Sequence, residues 1–320
     1  MSFIRTRTLI PAQGLALLTT GWMTLTAWAF EPVRSFVVTD LHSGTVLMGK
    51  QAEMKVQVAS LTKIATACVV LDWMEASKTD VNEMMTVPDT VLGIGGANPL
   101  GLAPGDLLSV RDGLYLALIG SDNVAAETLA YHVGKDLLRR RGKPGRPVEV
   151  FVAQMNTLSK QQGLKRTRFR NPHGLDHRVR PFSTAHDMAT LTAYALSKAS
   201  FRFYVSQKSR NVSYKRGDQR FGFEVKNTNV LLGVNDIDGV KTGMTSAAGA
   251  CVILSAARPT TVLTGPGGEK LLQPHRLIVV VLGAGDRFDS GRQLLAAGWQ
   301  RYDAWLAGRD DPASQPAATR

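Results

Sequence analysis

The chain has 320 residues, which is enough for one large domain or two, and its 44% hydrophobic and 20% charged residues are typical of an ordinary globular protein. Its net charge of +12 indicates an anionic partner. Cys68 and Cys251 are too few for a disulfide scaffold; each lies in an apolar run, as a small buried side chain would, and a single disulfide between them stays open.

The first 29 residues have the pattern of an export signal. Arg5 and Arg7 precede an uncharged stretch that ends in Ala27-Trp28-Ala29. We expect cleavage after Ala29 and a mature protein in the periplasm or cell envelope, without a stable transmembrane domain. The alternative is an uncleaved N-terminal anchor. Cleavage would leave 36 basic residues against 26 acidic ones, a net charge of +10.

Basic clusters such as Arg139-Arg140-Arg141-Gly142-Lys143 are compatible with nucleic-acid binding. An exported protein, however, meets cell-wall carboxylates, acidic polymers and lipid headgroups first. The sequence therefore predicts no nucleic-acid partner.

The N-terminal elements are predicted to be a hairpin and a helix. Residues 35–40 and 45–49 are rich in strand-forming side chains and are joined by turn residues that end in Gly44. From Leu61 to Met74 the chain has no Gly or Pro, so a helix can begin at or just after Ser60.

The middle of the chain is predicted to be helical after a glycine-rich loop at 93–106. The predicted helices cover 107–119, 124–132, 148–162 and a segment that begins after Ser183 or Thr184 and ends near Ser197. The basic stretch 139–147 contains Pro and Gly and is predicted to be an exposed loop.

From Phe201 onward the pattern changes to short strands and a final helix. The predicted strands are 210–214, 222–225, 239–242, 249–257 and 276–282, and the helix is 289–306. The segment Pro259 to Pro274 is longer than a simple hairpin and has no assigned role. The order of elements predicts an α/β (α+β) fold, in which one antiparallel sheet carries an inserted helical subdomain at about 77–200. We expect one domain over 30–307 and a disordered tail at 308–320.

Ser60-Leu61-Thr62-Lys63 places a nucleophile and a base on one helical face, because residues three apart are neighbours on a helix. Apolar residues along the same helix would desolvate Lys63. A desolvated lysine loses affinity for its proton and can act as a general base near neutral pH. Taken alone, the pattern also fits a helix start followed by a solvated lysine.

Two further motifs are equally ambiguous on their own. Gly120-Ser121-Asp122-Asn123 lies between two predicted helices, where it could aim polar side chains into a cleft or simply cap a helix. Lys241-Thr242-Gly243 begins a strand, with Lys241 and Thr242 expected on opposite faces and Gly243 allowing another backbone to approach closely.

Together, Ser-x-x-Lys, Ser-Asp-Asn and Lys-Thr-Gly occur in the order seen in penicillin-recognising enzymes. The chain resembles the serine D-alanyl-D-alanine carboxypeptidases, the low-molecular-mass penicillin-binding proteins, from about Phe30 to Leu306. The stretches 167–175, 182–185 and 227–229 look like connecting segments of that family. The resemblance implies an antiparallel five-stranded sheet flanked by helices, as in serine β-lactamases and DD-peptidases.

The resemblance also implies roles for individual residues. Ser60 would be the acylated nucleophile, Lys63 its general base and Ser121 a proton relay to the leaving amine. Asn123 would bind the substrate backbone, and the amides of Ser60 and Met244 would form the oxyanion hole. The remaining substrate-binding positions are Lys241 and Thr242, which would hold a terminal carboxylate, Gly243 of the same motif, and Arg287, a candidate second carboxylate contact with a loose local match.

The function implied is removal of the terminal D-alanine from peptidoglycan pentapeptides, with β-lactams as covalent inhibitors and no cofactor. Larger family members continue into an all-β domain and an amphipathic anchor, whereas this sequence ends at Arg320. We therefore expect it to be similar to the short members, some of which are endopeptidases that cut D-alanyl cross-links. Endopeptidase activity is the alternative.

Other functions fit less well. A β-lactamase of the commonest serine class would carry Glu-x-x-Leu-Asn, which is absent from the sequence. A non-catalytic wall-binding module would not need an intact Ser60, Lys63 and Ser121. His173 and His177 are four apart, but Pro172 and Gly174 argue against a helix there, so no metal site is predicted.

Overall fold

A computed structural model describes residues 32–176, 180–264 and 268–308. The strands are β1 (Ser35–Asp40), β2 (Val46–Lys50), β3 (Met84–Thr86), β4 (Leu107–Ser109), β5 (Ser209–Arg216), β6 (Gln219–Lys226), β7 (Ile237–Thr245), β8 (Gly249–Thr264) and β9 (Lys270–Ala284). The helices are α1 (Lys63–Ser77), α2 (Val110–Leu118), α3 (Asn123–Arg141), α4 (Pro147–Gln161), α5 (Ala185–Ser197), α6 (Ala199–Val205) and α7 (Arg287–Leu306), with 3₁₀ turns at Ala59–Thr62 and Asp89–Val91.

The main sheet is five-stranded and antiparallel, in the order β2-β1-β9-β8-β7. Its central strands are buried on both faces, because a hydrophobic core covers each face of the sheet. Successive side chains of a strand point in opposite directions and so enter the two cores in turn. Val37 and Val280 lie in the core that contains α1, whereas Val38 and Val279 lie in the core that contains Leu294 of α7. The prediction of an antiparallel five-stranded sheet flanked by helices is confirmed.

A second sheet was not predicted. It has four strands in the order β3-β4-β5-β6. The segments 210–214 and 222–225, expected in the single sheet, pair with each other and with β4 instead. Residues 107–109 were expected to begin a helix, but they form β4, because their backbone pairs with β3 and β5. Between α1 and β7 the chain thus contains this sheet as well as helices, and the boundaries 77–200 for a helical insertion stay a prediction.

Two helical segments also differ from expectation. The basic loop expected at 139–147 is helical up to Arg141, and Gly142 ends α3 in a left-handed conformation with φ of +60°. Helix α6 was not predicted because its aromatic residues favour strands. Helices α4 and α5 lie close to the predicted ranges, and Thr184 is the N-cap of α5, as expected.

The described parts of the segment Pro259 to Pro274, residues 259–264 and 268–274, lie at the end of a long two-stranded ribbon. Strands β8 and β9 stay paired beyond the sheet, with Val262 opposite Leu272 and Leu263 opposite Leu271. All four of these aliphatic side chains are exposed. The predicted signal at 1–29 and the predicted tail at 308–320, apart from Gly308, lie outside the described residues.

Cys68 and Cys251 are both free, buried thiols, so the disulfide that the sequence left open does not form. Within the described ranges, no helix combines the length and apolar character needed to cross a membrane.

Candidate active site

The Ser60 turn is held at the edge of the main sheet. Residues Ala59–Thr62 form one 3₁₀ turn that leads directly into α1 at Lys63, which confirms a helix start at or just after Ser60. Strand β7 lies against this turn at Gly243, where an added Cβ would be 3.0 Å from the Ser60 amide nitrogen and 3.1 Å from the Val58 carbonyl oxygen. The close approach predicted for Gly243 is therefore confirmed.

Lys63 is fully buried, and its amine has three hydrogen-bond acceptors. Nζ donates to Ser60 Oγ at 2.9 Å, to Asn123 Oδ1 at 2.7 Å and to the His173 carbonyl oxygen at 2.9 Å. An ammonium group has three donors, so this set satisfies the charged form completely. The acceptors come from the Ser60 turn, from α3 and from the segment before α5.

Burial controls the proton affinity of Lys63. Desolvation lowers its pKa to about 7, although the nearby negative charge of Asp122 acts in the opposite direction. Burial raises the pKa of Asp122 to about 6, against the hydrogen bond from the Ala125 amide and the positive charge of Lys63. Lys63 therefore has a protonation equilibrium near neutral pH.

The Ser-Asp-Asn motif forms the tight connection between α2 and α3. Ser121 has a φ of +59°, and Asp122 caps α3 by accepting from the Ala125 amide at 2.9 Å. Asn123 then reaches Lys63 with its Oδ1 and donates from Nδ2 to the Gly95 carbonyl at 2.9 Å. The glycine-rich loop thus lies beside the motif, and Ser121 is two residues from the contact with Lys63.

The Lys-Thr-Gly motif of β7 supplies a cationic side to the site. Lys241 is buried, and its Nζ donates to the Thr242 carbonyl at 3.0 Å. Thr242 is buried as well, and its hydroxyl donates to Thr228 at 2.7 Å. Burial and the positive charges of Lys63 and Arg287 hold the pKa of Lys241 well below its ordinary value. The charged form of Lys241 is therefore unfavourable in the free protein, because it is buried and lies near two other cations.

The structure brings Arg287 to this motif as well. Arg287 begins α7, and its guanidinium donates to the Gly243 carbonyl at 2.9 Å. Its pKa is lowered by burial. Met244, the next residue on β7, has a side chain that is 68% exposed. The loose sequence match thus corresponds to an arginine in contact with the predicted motif.

Sequence reasoning missed the part played by the segment 171–176. It was treated only as a connection, yet its His173 carbonyl accepts from Lys63 and its Pro172 carbonyl accepts from Thr66 at 2.6 Å. Gly174 has a φ of +84°, and a Cβ there would be 1.9 Å from the Ala59 carbonyl oxygen. Every residue has a backbone carbonyl, so such an acceptor leaves no pattern in a sequence. The only signal of a special backbone conformation in this segment was Gly174, which follows Asn171-Pro172-His173.

The same segment contains His173, which forms with His177 the histidine pair for which the sequence predicts no metal site. His173 Nδ1 accepts from the Leu175 amide at 3.2 Å, and His177 lies outside the described residues. Over the described ranges, no group of three or more His, Cys, Asp or Glu side chains is placed to hold a metal ion.

The fold and the three assembled motifs define the class of serine DD-peptidases. The structure is similar to that of penicillin-binding protein D2 from Listeria monocytogenes in the ampicillin-bound form, with a TM-score of 0.66 and 27% identity over 83% of this chain and 97% of that one. Residues 31–264 match the D-alanyl-D-alanine carboxypeptidase family. The chain belongs to this family.

Two curated relatives agree with this assignment. The chain is 33% identical to D-alanyl-D-alanine carboxypeptidase DacC of Escherichia coli over 280 residues, which are 84% of this chain and 62% of the relative. It is 32% identical to D-alanyl-D-alanine endopeptidase of Pseudomonas aeruginosa over 225 residues, which are 69% of this chain and 66% of the relative. The match thus spans less than two thirds of each relative's length.

Gly174→Ala should destabilise the protein more than Gly163→Ala. Both glycines have positive φ, +84° and +70°, so each substitution costs about 1–2 kcal/mol of backbone strain. Only at Gly174 would the new Cβ meet backbone, so we expect an additional loss of roughly 1–3 kcal/mol. Urea unfolding of both variants measures the difference, and equal losses would show that the 171–176 segment does not constrain the Ser60 turn.

Proposed function

We propose that the protein is a serine-type D-Ala-D-Ala carboxypeptidase that removes the terminal D-alanine of peptidoglycan pentapeptides through an acyl-enzyme on Ser60. The observation that carries the proposal is the 2.9 Å contact between Lys63 Nζ and Ser60 Oγ in a buried site. The names of the relatives in the same family support it.

In the proposed acylation step, neutral Lys63 takes the Ser60 hydroxyl proton as Oγ attacks the carbonyl carbon of the penultimate D-alanine. The amides of Ser60 and Met244 would stabilise the oxyanion of the tetrahedral intermediate. Ser121 would relay the proton from Lys63 to the leaving amine as the C–N bond breaks, which releases D-alanine and returns Lys63 to its neutral form. Water then hydrolyses the Ser60 ester, which releases the shortened peptide with a new terminal carboxylate and restores the hydroxyl.

The cationic side of the site supports recognition of a terminal carboxylate. Burial, and after it the positive charges of Lys63 and Arg287, hold the pKa of Lys241 below its ordinary value in the free protein. A substrate carboxylate between Lys241, Thr242 and Arg287 would offset these costs by pairing with both cations. Asn123 Nδ2 uses one of its two N–H donors on the Gly95 carbonyl, so the second would be the donor to a substrate carbonyl.

Endopeptidase activity is the second candidate, favoured by the relative named D-alanyl-D-alanine endopeptidase. The acylation chemistry is the same in both reactions, and they differ in the size of the leaving amine. We also propose that β-lactams acylate Ser60, as the ampicillin-bound form of a family structure suggests, and that the protein is exported to the periplasm or cell envelope.

The purified protein should release D-alanine from a pentapeptide that ends in D-Ala-D-Ala. Ser60→Ala should lower the rate by at least about a thousandfold and abolish fluorescent-penicillin labelling, because it removes the hydroxyl on which the proposed ester forms. Ser197→Ala, a change at an exposed serine, is the matched control. Cleavage of only a cross-linked muropeptide dimer would replace the carboxypeptidase proposal with the endopeptidase one.

The kcat/KM of the protein should rise with pH and level off above an apparent pKa of about 7, because only the neutral Lys63 amine can accept a proton. Asp122→Asn keeps an N-cap oxygen but removes a negative charge that raises the pKa of Lys63. The acid limb of the profile should therefore move to lower pH in this variant. A profile that stays flat between about pH 5 and 9 would contradict Lys63 as the base.

Arg287→Ala should raise KM about tenfold for pentapeptides with a free terminal carboxylate, since it removes a charge-assisted contact of roughly 1.5–3 kcal/mol. The effect should be much smaller for the same peptide with an amidated terminus. Arg292→Ala, on the same helix and bound to Asp289, is the control. Equal KM changes for both peptides would remove Arg287 from carboxylate recognition.

A further inference from the structure

A second cavity lies outside the candidate active site. It has a volume of about 970 Å³ and is formed between α4 and the segment 163–170, with Phe182 on one side. None of the residues proposed for catalysis or substrate binding lines it. Its size is within the range of small-molecule and peptide sites in proteins.

The lining of this cavity is strongly cationic. It contains the side chains of Lys55, Lys160, Lys165, Arg168 and Arg170. Glu149 is its one acidic residue and is bound to Arg146 at 3.0 Å. Within the described ranges, none of the five cations has a carboxylate within ion-pair distance, whereas Arg139 and Arg140 share Asp136. An anionic ligand would reduce the repulsion among these five charges.

Arg170 lines this cavity and has an unsatisfied donor buried behind it. Its Nε is buried and has no acceptor within the described structure. An unsatisfied buried donor is unfavourable, and the planar guanidinium is suited to a carboxylate. The neutral polar groups of the lining are already used: Asn156 binds the Phe169 backbone through both amide atoms, and the Thr167 hydroxyl donates to Asp187. A ligand would therefore meet mainly cationic donors.

The same cavity has an apolar wall that includes Val152, Phe169 and Phe182. Lys55 Nζ lies 4.9 Å from the centre of the Phe182 ring. Alternating apolar and cationic surface suits a ligand that carries both carboxylates and short aliphatic side chains. A chain of phosphates would leave the apolar wall uncovered.

We propose that this cavity is a non-catalytic binding site for an acidic peptide, namely a stem peptide of the cell-wall polymer. The identity of the peptide rests on the proposed function. Such a site would hold the enzyme on the polymer while another stem peptide enters the active site. Arg170 is only three residues from His173, so the occupied cavity would adjoin the segment that binds Lys63.

The test uses the full protein and the tripeptide L-alanyl-γ-D-glutamyl-meso-diaminopimelic acid, which lacks D-Ala-D-Ala and is not turned over. Calorimetry should show binding that weakens at least about tenfold in Lys160→Glu/Lys165→Glu/Arg168→Glu, three exposed positions. The matched control is Lys135→Glu/Lys143→Glu/Lys215→Glu, which changes the net charge equally at exposed positions away from the cavity. Arg170→Gln should also weaken binding of the tripeptide, although it changes the net charge much less than the triple variant does.

Selective loss in the cavity variants, with unchanged penicillin labelling, would support the site. The proposal is overturned if the wild type does not bind the tripeptide, if the control variant loses as much affinity, or if tripolyphosphate binds and the tripeptide does not. A failed D-alanine release assay together with intact, cavity-dependent tripeptide binding would refute the proposed function and leave the acidic-peptide site standing.

Discussion

The structure depends on one buried amine. Lys63 sits in the interior, where an unpaired ammonium group would be strongly unfavourable, and its three hydrogen bonds compensate. Two of the acceptors, on Asn123 and His173, are 60 and 110 residues away in the sequence. The arrangement of helices and sheet around α1 can thus be understood as the scaffold that brings three distant segments to a single nitrogen atom.

Several features around this amine are unfavourable for folding taken alone. Ala59 and Ser121 both have positive φ, an uncommon conformation for residues with a side chain; Ala59 precedes the proposed nucleophile, and Ser121 is the proposed proton relay. Lys241 is buried near two other cations. Features of this kind accumulate at sites where function, rather than stability, determines the local structure. Their clustering agrees with the position of the proposed active site.

The strands of the main sheet could be predicted from local residue patterns. The candidate site could be predicted from three short motifs, each made of residues that are close together in the sequence. The sequence did not predict β3, β4 and their sheet, since three-residue strands such as Leu107–Ser109 are defined by distant partners. The His173 carbonyl was missed because every residue has one. Asp122 was read only as part of a motif, and its effect on Lys63 depends on burial, which no short pattern reports.

Strand β7 is an outer strand of the main sheet, and the Lys-Thr-Gly motif lies on it. An outer strand offers backbone donors and acceptors along one edge, and an extended peptide can pair with such an edge as an added strand. Recognition of this kind is largely indifferent to side-chain identity, except where a side chain enters a pocket. A protein that binds its substrate in this way would tolerate chemical variation along the stem peptide and remain selective for its carboxylate end.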